Sequence, residues 1–583
     1  MSALRQLDHC LRDHVRTDVS LVVCVLLGAL ASAPLAATAG AQAATPAAQI
    51  AAPGLVPPTN PHAVGYADAA RLLDQATFGA TAADIARVQS LGIRGFIDAE
   101  LATPATLYTG FAYVPATAPA DCQYHAATPT DASSLCARDE YGPFEVQRQF
   151  FMHAVSAPDQ LRQRVAFALS QIFVVSSVEI YEAYGLANYQ NLLLKDAFGN
   201  YRQLLEDVTL SPVMGHYLDM VRNDKTDAAT GTTPNENYAR EVLQLFSIGL
   251  YELNPDGSVR HDADGDPIAT FDQDTIEGFA ALFTGWAYPP RPSATPSFYA
   301  PVNFDGVMPA FAAHHESGSK LLLNGVLVPP GQTPAQDLAA GLDNIFHHPN
   351  VGPFIGKQLI QQLVTSNPSP AYVARVAAVF ADDGSGVRGN LGAVVRAILT
   401  DREARGERPS SANVGHLRAP AQFIAGALRS LGGRTDGVFA ASASSAMGQP
   451  IYSPETVFSF YPPSYQIPGS SLLAPEFGIE NAATAFARAN FVNTLIMDGG
   501  AKPNPTVPGS IGTTVDLSSY AGIADHRTMI DTLDRALLHG SLPRDAKDDV
   551  LFAVDAVTST NPLAPVDVAA YLILTSAQYQ VER

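Results

Sequence analysis

Apolar residues recur along most of this chain at the spacing of a helix face. In 158–177, Leu161, Val165, Leu169, Ile172 and Phe173 fall on one side. The stretches 66–79 and 81–92 read as two short helices, and 185–207 reads as two more. Helical patterning returns at 275–282, 336–365, 371–380, 391–400 and 527–578. Ser211-Pro212, Thr233-Pro234, Thr333-Pro334, Ser369-Pro370 and Ser453-Pro454 each precede such a stretch. A hydroxyl cap followed by proline at the first helical position is a start signal, so the pattern predicts a mainly α, multi-helix fold.

One island breaks the pattern. In 251–271 short alternating runs are separated by Asp256-Gly257 and Asp264-Gly265, which predicts a small β-meander. Asp262, Asp264 and Asp266 resemble the start of a calcium loop. Gly265 is misplaced for one, however, and position twelve is Gln273, so a hairpin turn is the expectation. The segment 103–141 reads as irregular, and 289–334 as a long proline-rich loop of the kind that often carries function. The stretch 406–415 has the composition of a surface linker.

The most informative run is 233–249, TPNENYAREVLQLFSIG. Thr233 suits an N-cap, Pro234 the first turn, Glu236 a capping-box carboxylate and Gly249 a stop. At about 100° per residue, Glu236, Asn237, Arg240, Glu241 and Gln244 share one stripe, opposite Tyr238, Ala239, Val242, Leu243, Leu245 and Phe246. Such a stripe is either a solvated face laced by a Glu236–Arg240 pair or a polar cluster facing a cleft.

Composition narrows the possibilities. The 583 residues are 47% hydrophobic and 16% charged, enough for a large folded core. A net charge of −21 argues against nucleic acid and against anionic lipid as partners. Near the start, the apolar run 19–30 precedes small residues with an Ala41-Gln42-Ala43 cleavage pattern. The expected organisation is a signal peptide over 1–43, a flexible Ala/Pro-rich lead-in over 44–61 and one integrated helical domain over 62–583. An uncleaved anchor is the alternative at the N-terminus. No later run is long enough to span a membrane. Removal of the signal leaves Cys122 and Cys136, which an exported chain can join in a loop worth roughly 3 kcal/mol. A metal site is the weaker alternative, since His125 is the only histidine between them.

Candidate chemistry is sparse. There is no H-E-x-x-H, G-x-S-x-G, complete P-loop or dinucleotide glycine fingerprint, and neither metal nor cofactor is expected. His347 and His348 precede Pro349-Asn350 and suit a turn or a cap. In the long loop, His315, Glu316, Ser317, Gly318 and Lys320 put an imidazole, a carboxylate and an amine within six residues, suited either to acid–base work or to clamping the loop. Ser317 and Lys320 have serine–lysine hydrolase spacing but lack the partner motifs of that class. Asp219 and Asn223 precede the signature helix and can join its polar face. Trp286, the sole tryptophan, walls a pocket or fills the core.

PNENYARE with its apolar half-helix resembles the signature of the bacterial family called domain of unknown function 1800. So do ATFG at Ala76, LSQIFV at Leu169, YLD at Tyr217, FTGW at Phe283, HHPNVGPFIGKQLIQQLV at His347 and TSAQYQVER at the end. His315 to Lys320 resembles the family's His-acid-hydroxyl-Gly-x-Lys pattern. The resemblance spans nearly the whole mature chain. It implies an exported protein, periplasmic or extracellular, of unknown activity, and one member of a recurrent pair whose other half is a sulfatase-like exported protein. Two functions follow as expectations. One is a hydrolase-like enzyme in which Glu236, Arg240 and Glu241 meet His315 and Lys320 across a cleft. There Asn235, Asn237, Asp219 and Trp286 would bind a polar or glycan-like substrate. The other is a non-catalytic binding or accessory protein working with the sulfatase-like partner.

Overall fold

The computed structural model describes residues 64–406 and 414–582. The expected signal peptide, the lead-in and most of the 406–415 linker lie outside them. Half of the described residues are helical, with 23 α-helices among them, and the strands form only two-residue antiparallel pairs.

The chain opens with α1 (Tyr66–Ala76) and α2 (Ala82–Ala102). Gly92 does not end α2, as the sequence suggests. It takes φ +74° and kinks a helix that continues to Ala102. The segment 103–141 is not wholly irregular: α3 (Ala132–Glu140) lies inside it, with its N-terminus capped by Asp131 accepting from the Ser134 N–H. Cys136 sits on α3 and is bonded to Cys122 with Cα atoms 5.0 Å apart. Then come α4 (Phe144–Ser156), α5 (Gln160–Ser170), α6 (Ala183–Asp196), α7 (Tyr201–Leu210) and α8 (Pro212–Tyr217). α5 is shorter than its apolar pattern, because Ile172 to Val175 remain buried after the helix has ended.

The signature helix is α9 (Asn237–Gln244), followed by α10 (Gln273–Leu282). The predicted meander takes a closed form. Glu252 N–H donates to Ile268 O, Ile268 N–H to Arg260 O, and Arg260 N–H to Glu252 O, at 2.8, 3.1 and 2.7 Å. Each of three short segments thus bridges both others, a triangle rather than an open meander, with Asp-Gly turns at two corners. Asp262 accepts from the N–H groups of Asp264 and Asp266, as a turn residue does.

The long loop supplies β1 (Lys320–Leu321) and β2 (Leu327–Val328) before α11 (Pro334–Phe346), α12 (Val351–Leu363), α13 (Pro370–Ala381), α14 (Leu391–Thr400) and α15 (Arg402–Arg405). Three of the five hydroxyl–proline signals start helices: α8, α11 and α13. The Ser453-Pro454 signal starts none, and neither does Thr233-Pro234. α11 carries a full capping box from Thr333 and Gln336. His347 closes the same helix, bonding Asp343 O through its ring. The rest comprises β3 (His416–Leu417), α16 (Pro420–Ser430), β4 (Arg434–Thr435), α17 (Val438–Ala446), α18 (Ala482–Val492), β5 (Thr513–Thr514) and α19 (Ser518–Ala521). Last come α20 (His526–Leu538), α21 (Arg544–Asp555), α22 (Ala564–Thr575), α23 (Ala577–Gln580) and β6 (Val581–Glu582).

Buried apolar residues form one continuous cluster from Ala69 to Tyr579. The beginning and end of the described chain meet on it: β6 pairs with β3, and Asp74 of α1 binds both Arg418 and His539. No helix among the described residues is long and apolar enough to cross a membrane.

Candidate functional site

The signature segment folds differently from its caps. Asn235 is held outside the helix by Asn223, which accepts its N–H at 2.7 Å and donates to its carbonyl at 3.1 Å. Asn235 in turn accepts from the Asn237 N–H. This two-sided clamp supersedes the Thr233-Pro234 start, and the helix begins at Asn237. Glu236 is then no capping-box carboxylate. It pairs with Arg240 at 2.9 Å and accepts from Gln273 of α10, also at 2.9 Å. Glu236 and Arg240 both remain about a third or more exposed. The opposite stripe is buried as the periodicity requires, with Tyr238, Ala239, Val242 and Leu243 in the core.

Glu241 differs from its neighbours. Its Oε2 is buried and finds no hydrogen-bond partner in the protein. Burial pushes its pKa up, and the nearby Arg240 only partly offsets this. Tyr217 lies close enough to feel the charges of Glu179 and Glu241, and Glu179 in turn feels Asp219. Asn237 donates to Asp219 at 3.1 Å. Asp219 and Arg222 both take left-handed backbone at φ +58° and +60°. That conformation is uncommon for such residues and is often stored at functional sites. The structure therefore brings Asp219, Asn237 and Glu241 to one acidic face and adds Glu179 and Tyr217, which the helical period of 233–249 had no means of indicating.

His315 and Lys320 lie elsewhere. His315 Nε2 contacts Asp337 Oδ2 at 2.8 Å, and its Nδ1 contacts Thr284 O at 2.9 Å. Lys320 Nζ reaches Asp337 Oδ2 at 2.7 Å, Glu316 O at 2.6 Å and Gly318 O at 2.9 Å. All three ammonium protons are used, and the three side chains are buried. Ser317 is exposed and has no part in this cluster. The sequence gives little sign of Asp337: it looks like an ordinary acidic residue in the first turn of α11.

Among the described residues, no hydrogen bond or ion pair joins His315 or Lys320 to Glu236, Arg240 or Glu241, since both are committed to Asp337 and main-chain oxygens. α10 packs against α9, β1 and α11. Gln273 meets the signature helix. Gly278, five residues later and about 140° round the helix, lets β1 lie against α10: a Cβ there would fall 1.9 Å from Leu321 O. His314, not His315, is the accessible imidazole of the motif. It stacks on Phe298 with ring centroids 3.6 Å apart, and its Nδ1 contacts Asp224 Oδ2 at 2.9 Å. Trp286 is buried in the core, with its Nε1 lacking a partner in the protein.

Among the described residues, the one group of three or more ligating side chains close enough for a metal is Cys122, Cys136 and Glu140. Its two sulfurs are joined to each other. No curated protein and no solved structure matches the chain. A family model described as a protein of unknown function (DUF1800) matches residues 71–581, and the chain belongs to that family.

Proposed function

We propose that this is an exported envelope protein that binds a polar, glycan-like ligand on the acidic face of α9, as a non-catalytic accessory of a sulfatase-like partner. One observation carries the binding site: the half-buried Glu241 carboxylate keeps an unpartnered oxygen, whereas His315 and Lys320 have spent their donors on Asp337 and main-chain oxygens. Glu179, Asp219 and Glu241 all accept hydrogen bonds and Tyr217 can donate one, so the face suits a ligand rich in hydroxyl or ammonium donors. Titration of the intact protein with neutral oligosaccharides and with polyamines tests this. A saturable component of binding that Glu241→Gln removes supports the site, and a titration in which every component survives that change removes it. Export is supported by the bonded Cys122–Cys136 pair. The intact mass of the exported product locates the cleavage expected after Ala43. Co-purification with a sulfatase-like exported protein tests the partnership.

The hydrolase-like function is favoured by a different observation. Burial holds Glu241 toward its protonated form, as a general acid requires, and Asp224 orients His314 as a base is oriented. Turnover of chromogenic esters or glycosides that both His314→Asn and Glu241→Gln abolish would favour the enzyme. Binding without turnover favours the accessory role.

A further inference from the structure

A second polar concavity lies away from the signature helix and is independent of the binding site proposed there. Gln171, the residue that closes α5, faces Gln358, Gln361 and Gln362 of α12 across a recess closed by Tyr461, Pro463 and Glu476. Stretches far apart in the chain meet here. Gln171 belongs to LSQIFV and the other three glutamines to GKQLIQQLV, while Glu582 of QVER stands behind the floor.

The floor is prearranged. Glu476, only 3% exposed, turns Oε1 to His416 Nδ1 at 3.3 Å, and His416 Nε2 lies 3.8 Å from Glu582. Gln361 donates to Ser366 O and Pro463 O, which fixes the loop over the recess. Gln171 donates to Gln362 Oε1 at 2.9 Å. After these bonds are made, three buried atoms at the recess have no partner in the protein: Glu476 Oε2, Gln171 Oε1 and Gln358 Nε2. Buried polar atoms are nearly always paired, so three together need an occupant.

The atoms specify that occupant. Two accept hydrogen bonds and one donates, which matches a pair of neighbouring hydroxyls. An ammonium would satisfy the acceptors and leave the Gln358 N–H facing another donor. An anion would face the Glu476 carboxylate. The charge of Glu476 is already balanced by His416 and by the nearby Arg164 and Arg488, which favours a neutral group. Size narrows it further. Counted with the open solvent at its mouth the recess spans about 370 Å³, but as a whole it offers only about 20 Å³ to water-sized groups, room for one or two of them. A sugar ring does not fit inside the recess, and only a hydroxyl edge can enter it, past Pro463 and Pro475.

We propose that this recess binds the vicinal-diol edge of a neutral saccharide, with Glu476 and Gln171 accepting from its hydroxyls and Gln358 donating to them. A single water bonded to the same three atoms is the competing occupant, and a hydroxyl pair that reproduces its bonds displaces it without loss. The test titrates the intact protein with D-glucose, N-acetylglucosamine and cellobiose, and with D-glucuronate as the anionic counterpart, by saturation-transfer NMR and calorimetry. The expected result is saturable binding of at least one neutral sugar, with glucuronate about tenfold weaker or more. Gln358→Leu and Gln171→Leu should each weaken binding about tenfold, the size of one lost hydrogen bond in a dry site, and Glu241→Gln should leave it unchanged. Glu476→Gln also touches His416, so the two glutamine variants carry the test, provided their melting temperatures stay close to that of the parent. Absence of saturable binding by every neutral sugar, leaving water as the occupant, overturns the proposal. So does binding indifferent to Gln358→Leu, or glucuronate binding as well as glucose.

Discussion

Two carboxylate-centred clusters lie against the same helix, α10, and have opposite characters. On the β1 and α11 side, Asp337 holds His315 and Lys320 in a buried group whose donors are all used. At the N-terminus of α10 and along α9, Glu236 shares Arg240 with solvent and Glu241 keeps a buried oxygen with no partner. The first arrangement fastens a long loop to the fold. The second leaves hydrogen-bonding capacity open at the cost of some stability, as a ligand site does. Residue type alone does not separate the two, since an imidazole and a lysine look more reactive than a glutamate. Each carboxylate keeps one oxygen without a partner, and what separates them is access: Asp337 is sealed in the core with the donors around it all used, whereas Glu241 is only half buried.

The largest expected effect comes from breaking the closed cluster. Asp337→Ala strands the Lys320 ammonium in the core and should destabilise the protein by about 3–5 kcal/mol. Urea unfolding at neutral pH measures this. A loss below about 1 kcal/mol would mean that Lys320 reaches water and that the cluster is not closed.

A third carboxylate cluster sharpens the comparison through pH. Burial pulls the His416 pKa down, but Glu582 and Glu476 outweigh it and carry it from 6.5 to about 9. A histidine whose folded pKa is raised contributes stability that is complete below its ordinary pKa and lost as pH rises through the folded one. The protein should therefore lose stability between about pH 7 and 10, on the order of 3 kcal/mol from this group. His416→Gln should flatten that part of the profile. Melting curves across the range decide it, and identical slopes in parent and variant would show that His416 is not charged in the folded state.

On the open face the sign reverses. Burial raises the Glu241 pKa, so its contribution is present at acid pH and is lost as pH climbs through the folded value. Above the folded value the parent carries that loss and Glu241→Gln does not, so there the variant should be at least as stable as the parent. A clear loss of stability on this change would place Glu241 among the structural carboxylates. The smallest effect belongs to Arg240→Ala. Both it and Glu236 are well exposed, and the loss should stay below about 1 kcal/mol. A double-mutant cycle with Glu236→Gln isolates that pair.

What could be read from the sequence was what depends on near neighbours. The buried stripe Tyr238, Ala239, Val242 and Leu243 follows from helical period, and the Thr333 capping box from residues three apart. The Asp-Gly turns of 251–271 follow from backbone preference at single positions. Only the tertiary structure decided the remainder. Asn223 clamps Asn235 from twelve residues away and overrides a sound local start at Thr233. Asp337 meets Lys320 where Gly278 lets β1 lie against α10, a helix that also packs against α9 and α11. Gln171 meets Gln358 because α5 and α12 pack through the core. Capping and periodicity act over a few residues, so a chain displays them in one dimension. Whether a polar side chain is saturated or open depends on partners that only folding brings near, and on this the division between clamp and binding face rests.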